Sequence, residues 1–158
     1  MRRKESYLCI MRHSYISNYI HIVFSTKSCE TYLTPLIRER LWRVMDGIMK
    51  NNGIDAITIG GNRGGCHALL SLPSTITIAD AAKKLKGISS KWLSEEYPEL
   101  RLFEWQKGYA AFSVSTSQLK KVIAYINNQE EHHRKVIFRD EYISFLKGNN
   151  IPFDEKFI

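Results

Sequence analysis

The sequence predicts an α+β domain, an antiparallel sheet backed by helices. Three observations predict it. Short β-branched and aromatic runs alternate with stretches of helical periodicity. Gly, Pro, Asn or a capping residue bounds most of these segments. Their order, β-α-β-β-α-β-α, is that of a ferredoxin-like, RRM-like sandwich.

Each element follows from local chemistry. Tyr15–Ser25 is rich in aromatic and β-branched residues, and its second half reads as a strand. Thr34 and Pro35 open a helix, as N-cap and as a first residue whose missing N–H costs nothing. Leu36, Ile37, Leu41, Val44, Met45 and Ile48 follow at helical spacing, and Asn51-Asn52-Gly53 stops the helix. Ile54–Ile59 reads as a strand and Gly60–Gly65 as a flexible turn. Cys66–Leu72 reads as the returning strand, ended by Pro73. Thr77–Leu85 and Ser90–Tyr97 read as helices broken near Gly87, and Ala110–Val114 as a short strand. Ser117 suits an N-cap for a helix carrying Leu119, Val122, Ile123 and Ile126, and Gly148 closes a last helix over Arg139–Lys147.

With 158 residues, 44% of them hydrophobic, the chain can bury a core without staples. It reads as one domain over residues 11–158 behind an N-terminal extension, residues 1–10, expected to be disordered. No apolar run reaches membrane-spanning length and no secretory signal is visible, so neither a membrane partner nor export is expected. Cys9, Cys29 and Cys66 form no CxxC pair, which suits reduced thiols in the cytoplasm. The net charge of +7 suits a polyanionic partner, nucleic acid first, although a solvated basic surface explains it as well.

Two segments can carry chemistry. Tyr125 and Gln129 lie one helical turn apart, with His132 and His133 continuing their lines. A half-buried Tyr above a polar helix end is the plainer reading of that pattern. On the strand, His67, Leu69 and Ser71 share one face and Ala68, Leu70 and Leu72 the other. A strand His beside an apolar row is more often structural than a ligand.

Several blocks are more specific. They are His21–Lys27, Gly60-Gly61, His67–Pro73, Leu85–Trp92, Phe103–Tyr109, Phe112–Ser115 and Tyr125–Arg134. In this order and at these separations the chain resembles the single-tyrosine HUH transposases of small bacterial insertion sequences, the IS200-like transposases. The resemblance runs from about Met11 to the C-terminus. It implies cleavage and strand transfer of single-stranded DNA with hairpin ends through a 5′-phosphotyrosine, and a homodimer. It also implies Tyr125 as nucleophile, with His67 and Gln129 as ligands of Mg²⁺ or Mn²⁺. The first His of the strand motif should stand at position 65, where this chain has Gly65. That loss predicts a weakened metal site; an adduct formed only with Gly65→His would mean that scaffold and nucleophile are intact and the site has decayed. The loss also supports a rival reading, a transposase-derived hairpin-binding protein without catalysis. Glu130, Glu131, His132, His133 and His21 are the nearest stand-ins, and Cys66 faces away.

Lys83, Lys84, Lys86, Ser89, Ser90 and Lys91 cluster around the expected helix break and suit phosphate contacts. A solvated helix face is the plainer reading. Trp105, Tyr109 and Phe112 suit base stacking or, more simply, the core. An RNA-binding module would carry an aromatic-rich signature strand, which the sequence lacks.

Overall fold

The computed structural model describes residues 14–29 and 32–158; the expected N-terminal extension, residues 1–10, lies outside the described residues. Four strands form one antiparallel sheet: β1 (Tyr19–Ser25), β2 (Asp55–Asn62), β3 (Gly65–Ser71) and β4 (Ala110–Val114), in the spatial order β2-β3-β1-β4. The helices are α1 (Pro35–Asn51), α2 (Ile78–Glu96), α3 (Leu119–Asn127), α4 (Gln129–His132) and α5 (Phe138–Gly148). This is the ferredoxin-like α+β sandwich that the element order predicts. Among the described residues no helix is long and apolar enough to cross a membrane.

Strand alternation sorts the core into two layers. Ile20, Ile22, Phe24, Cys66, Ala68 and Leu70 pack in one cluster with Leu41, Met45 and Met49 of α1 and Ala81, Leu85 and Leu93 of α2. Val23, Ala110 and Phe112 pack in another with Phe138 and Leu146 of α5. The sheet therefore separates α1 and α2 from the C-terminal helix.

α1 begins where expected: the Thr34 hydroxyl accepts a hydrogen bond from the Ile37 N–H, with Pro35 as the first helical residue. Three expectations need correction. Gly60–Gly65 is not a loose turn, because Gly60, Gly61 and Asn62 pair with His67, Cys66 and Gly65, so the strands run almost to Arg63 and Gly64. α2 does not break at Gly87; Leu85, Ser89 and Leu93 are buried on both sides of it, and that burial outweighs the roughly 1 kcal/mol that Gly costs a helix. Ser117 does not cap α3 but lies in a short 3-10 turn, Thr116–Gln118, that leads into it.

Gly60 matters for position. A Cβ there would stand 2.8 Å from the Ile126 carbonyl oxygen, so α3 rests on β2 only because that side chain is missing. Gly60→Ala is expected to lift α3 and to destabilise the fold by about 1–3 kcal/mol. Urea unfolding of the two proteins measures this, and an unchanged midpoint would refute the close approach.

Candidate active site

β3 delivers His67 to the face covered by α5, where its side chain is fully buried. Val23 of β1 pairs with His67 and Leu69 pairs with His21, so the two imidazoles are diagonal neighbours on one face. His21 Nε2 and His67 Nδ1 share a hydrogen bond of 3.0 Å. The other nitrogen of His67, Nε2, is buried without a hydrogen-bond partner.

α3 brings Tyr125 over this nitrogen, with the Tyr125 and His67 rings edge to face at 5.8 Å between centroids. The helix does not run unbroken to His133. It ends at Asn127, Asn128 leaves helical geometry, and Gln129 starts the single turn of α4. Tyr125 and Gln129 nonetheless converge. Gln129 is buried, and its Oε1 accepts a hydrogen bond of 3.4 Å from Asn62 Nδ2. His67, Tyr125 and Gln129 are thus drawn together, as the family resemblance implied.

The hub of the site is a residue that sequence reasoning missed. Glu141 of α5 is buried, and Tyr125 donates its hydroxyl proton to Glu141 Oε1. Gln129 Nε2 donates to the same oxygen at 3.1 Å, and His133 Nε2 lies 2.7 Å from Oε2. His67 Nε2 and His132 Nε2 stand 3.4 and 3.8 Å from Oε1. The only available signal was the buried face of the last helix, where Phe138 and Glu141 fall one turn apart.

Phe138 explains position 65. A Cβ built on Gly65 would lie within 2.6 Å of three carbons of the Phe138 ring. Restoring His at 65 therefore does not simply refill a gap, because an aromatic ring already fills it. Among the stand-ins named for that position, Glu130 pairs with Arg38 and Glu131 with Arg134. Cys66 lies on the opposite face, its Sγ 3.7 Å from Met45 Sδ.

Burial governs the titration of the site. It lowers His67 to about 3, with His132 adding to the effect, and lowers His21 to about 3, with His67 adding. His133 falls to about 4, by burial first and then by His132 and His67. Burial raises Glu141 to about 8. Each shift disfavours the charged form. Unfolded histidines bind protons below about 6.5 while the folded ones stay neutral, so stability falls as pH drops below that value. Folded Glu141 keeps a proton up to about 8 that the unfolded chain releases near 4.5, so its contribution falls across that whole window, outweighed by the histidines below about 6.5 and unopposed above it. Thermal unfolding of the EDTA-treated chain from pH 4 to 8 is expected to peak between 6 and 7. A profile still rising at pH 8 would contradict this.

The basic cluster does not join this site. Lys83, Lys84, Lys86, Ser89, Ser90 and Lys91 all lie on α2, whose buried face packs against the other side of the sheet. Ser89 is buried and its hydroxyl accepts from Trp105 Nε1 at 2.9 Å. Lys86 Nζ donates to the Gln106 carbonyl at 2.7 Å and to that of Gly108. Both residues hold the loop before β4. Lys83 and Lys91 are exposed, with Lys91 3.8 Å from Glu95, and Lys84 and Ser90 are half-buried. Trp105 and Phe112 belong to the core, while Tyr109 is exposed. Beside Tyr125 opens a groove of about 600 Å³, lined in part by His21, Ser113, Ser115, Gln118 and Lys121.

Comparison with known proteins bears on the fold and descent of the chain. The family model described as "Transposase IS200 like" matches residues 14–129, which include His67, Tyr125 and Gln129 and stop short of α5. The ISDra2 transposase TnpA of Deinococcus radiodurans is 27% identical over 116 residues, 70% of this chain and 83% of that protein. A crystal structure of a candidate transposase from Deinococcus radiodurans R1 superposes with a TM-score of 0.61 at 24% identity, covering 73% of this chain and 94% of that one. A REP-associated tyrosine transposase bound to a REP hairpin superposes with a TM-score of 0.59 at 13% identity, covering 79% and 74%. The two structural likenesses bear on fold, and the family match, spanning most of the chain, bears on descent: this protein belongs to the IS200-like transposase family.

Proposed function

We propose that this chain cleaves and rejoins single-stranded DNA at hairpin-bearing ends, with Tyr125 as the nucleophile. One observation carries the reading: the Tyr125 hydroxyl points into a buried polar site that also holds His67 and Gln129. The same site holds the buried His67 Nε2, which has no hydrogen-bond partner and so calls for an explanation beyond packing.

In the proposed step the Tyr125 oxygen attacks the scissile phosphorus. The bond to the 3′ oxygen breaks, the phenol loses its proton and the departing 3′ oxygen gains one. A 5′-phosphotyrosine keeps the phosphodiester energy, so rejoining needs no nucleotide cofactor. Glu141 holds the phenol hydroxyl inside the site, and Phe145 packs edge to face against the ring. A divalent cation, Mg²⁺ or Mn²⁺, would supply Lewis-acid polarisation of the phosphate when bound. The unpartnered His67 Nε2 fits such an ion as it stands, and Gln129 would hold it through Oε1 once its amide, whose Nε2 faces Glu141, turned over. The groove beside Tyr125, with Lys121 on its rim, suits a single DNA strand. Two copies of the chain acting together, and phosphate contacts by Lys83, Lys84 and Lys91 on the far face, remain part of the proposal.

The test is a covalent protein–DNA adduct on a denaturing gel, using single-stranded oligonucleotides from both flanks of the gene with Mn²⁺. An adduct supports the enzyme. Hairpin binding without any adduct favours the second reading, a DNA-binding descendant of a transposase, for which Gly65 is the motivating observation.

A further inference from the structure

We infer that Glu141 is the third protein ligand of a divalent-cation site completed by His67 and Gln129, in the role that position 65 no longer serves. This rests on the reading of Tyr125 as a metal-assisted nucleophile and adds a residue outside the family match, which ends at Gln129.

Four observations carry it. First, His67 is fully buried and its Nε2 has no hydrogen-bond partner. A buried unsatisfied nitrogen is costly unless something binds it. Second, Glu141 Oε1 stands 3.4 Å from that nitrogen. Two donors about 2.1 Å from one Mg²⁺ and at right angles stand about 3.0 Å apart. A shift of a few tenths of an ångström brings both onto one ion.

Third, α5 supplies the replacement and the filler together. Phe138 occupies the space a side chain at 65 would need, and Glu141 follows one turn later on the same buried face. The same helix that fills the space at position 65 therefore brings a carboxylate to the imidazole. Fourth, Glu141 is held in place by its other oxygen, through His133 Nε2 at 2.7 Å. A ligand oriented by a second partner is the usual construction of a metal site.

Among the described residues no three His, Cys, Asp or Glu side chains form a metal-holding group. The set here has two such residues and one amide, whose oxygen would have to turn from Asn62 to the ion, and it suits a hard cation that keeps positions for water and phosphate oxygens. Glu141 also bonds the Tyr125 hydroxyl, so the ion would sit beside the nucleophile.

Electron paramagnetic resonance of Mn²⁺ titrated into the full-length chain tests the site without reference to activity. One Mn²⁺ per chain is expected, with affinity reduced at least tenfold in Glu141→Gln and in His67→Gln. Circular dichroism melts establish that each variant is folded. If Glu141→Gln does not fold, Glu141→Asp decides, because a carboxylate one methylene shorter should bind measurably more weakly. Unchanged affinity in the folded Glu141 variant, or no Mn²⁺ bound by the native chain, overturns the inference. The adduct assay separates the two readings. Mn²⁺ binding without an adduct leaves the site standing and removes the enzyme. An adduct formed equally well in EDTA leaves Tyr125 standing and removes the site.

Discussion

Tyr125→Phe is expected to abolish the covalent DNA adduct completely while leaving hairpin binding intact. Phenylalanine has no oxygen to attack phosphorus, and among the described residues the hydroxyl bonded to the His67–Gln129–Glu141 cluster is that of Tyr125. The variant should still fold. The ring keeps its contacts with His67, His132 and Phe145. Glu141 loses one donor but keeps Gln129 and His133, so the cost is about 1–2 kcal/mol. Denaturing gels and thermal melts on the same preparations separate chemistry from stability. A persisting adduct would show that a different residue attacks, and loss of the fold would show that Tyr125 is chiefly structural.

Gly65→His has the second large effect, opposite to the one the bare sequence suggests. Viewed against the family pattern, it restores a ligand. In the folded chain it drives a Cβ and an imidazole into the Phe138 ring. That ring is 6% exposed and packs against the rings of His67, His133 and Tyr142, so it has little room to yield. Overpacking plus an extra buried polar group is expected to cost about 3 kcal/mol or more. Phe138→Ala alone should cost a similar amount through the cavity it leaves. The double variant Gly65→His/Phe138→Ala should be less destabilised than the sum, by at least about 1 kcal/mol, because one change relieves the other. Strict additivity in a urea double-mutant cycle would show that the two positions do not compete for space.

Much of the fold could be read in advance because its signals are local. The Thr34–Pro35 cap, the alternation through β3 and the Ala110–Val114 strand depend on neighbours a few residues away. The helix break expected at Gly87 and the loop expected at Gly60–Gly65 failed for one reason. Glycine weakens a segment locally, but Leu85, Ser89 and Leu93 in one case and the β2–β3 ladder in the other hold it from outside. The position of the basic cluster was not legible, because charge and spacing on a helix do not say which face of a sheet that helix covers.

The sequence by itself determined the α+β order, the residues of β3 that share a face with His67, and the helix that carries Tyr125. Each follows from a repeat of about two residues in a strand or 3.6 in a helix. Only the tertiary structure decided what replaces position 65. α5 crosses the face of the sheet that bears His67, placing Phe138 in the empty volume and Glu141 against the imidazole. Burial of an apolar helix face drives that docking, and it joins residues far apart in the chain whose pairing no local periodicity records.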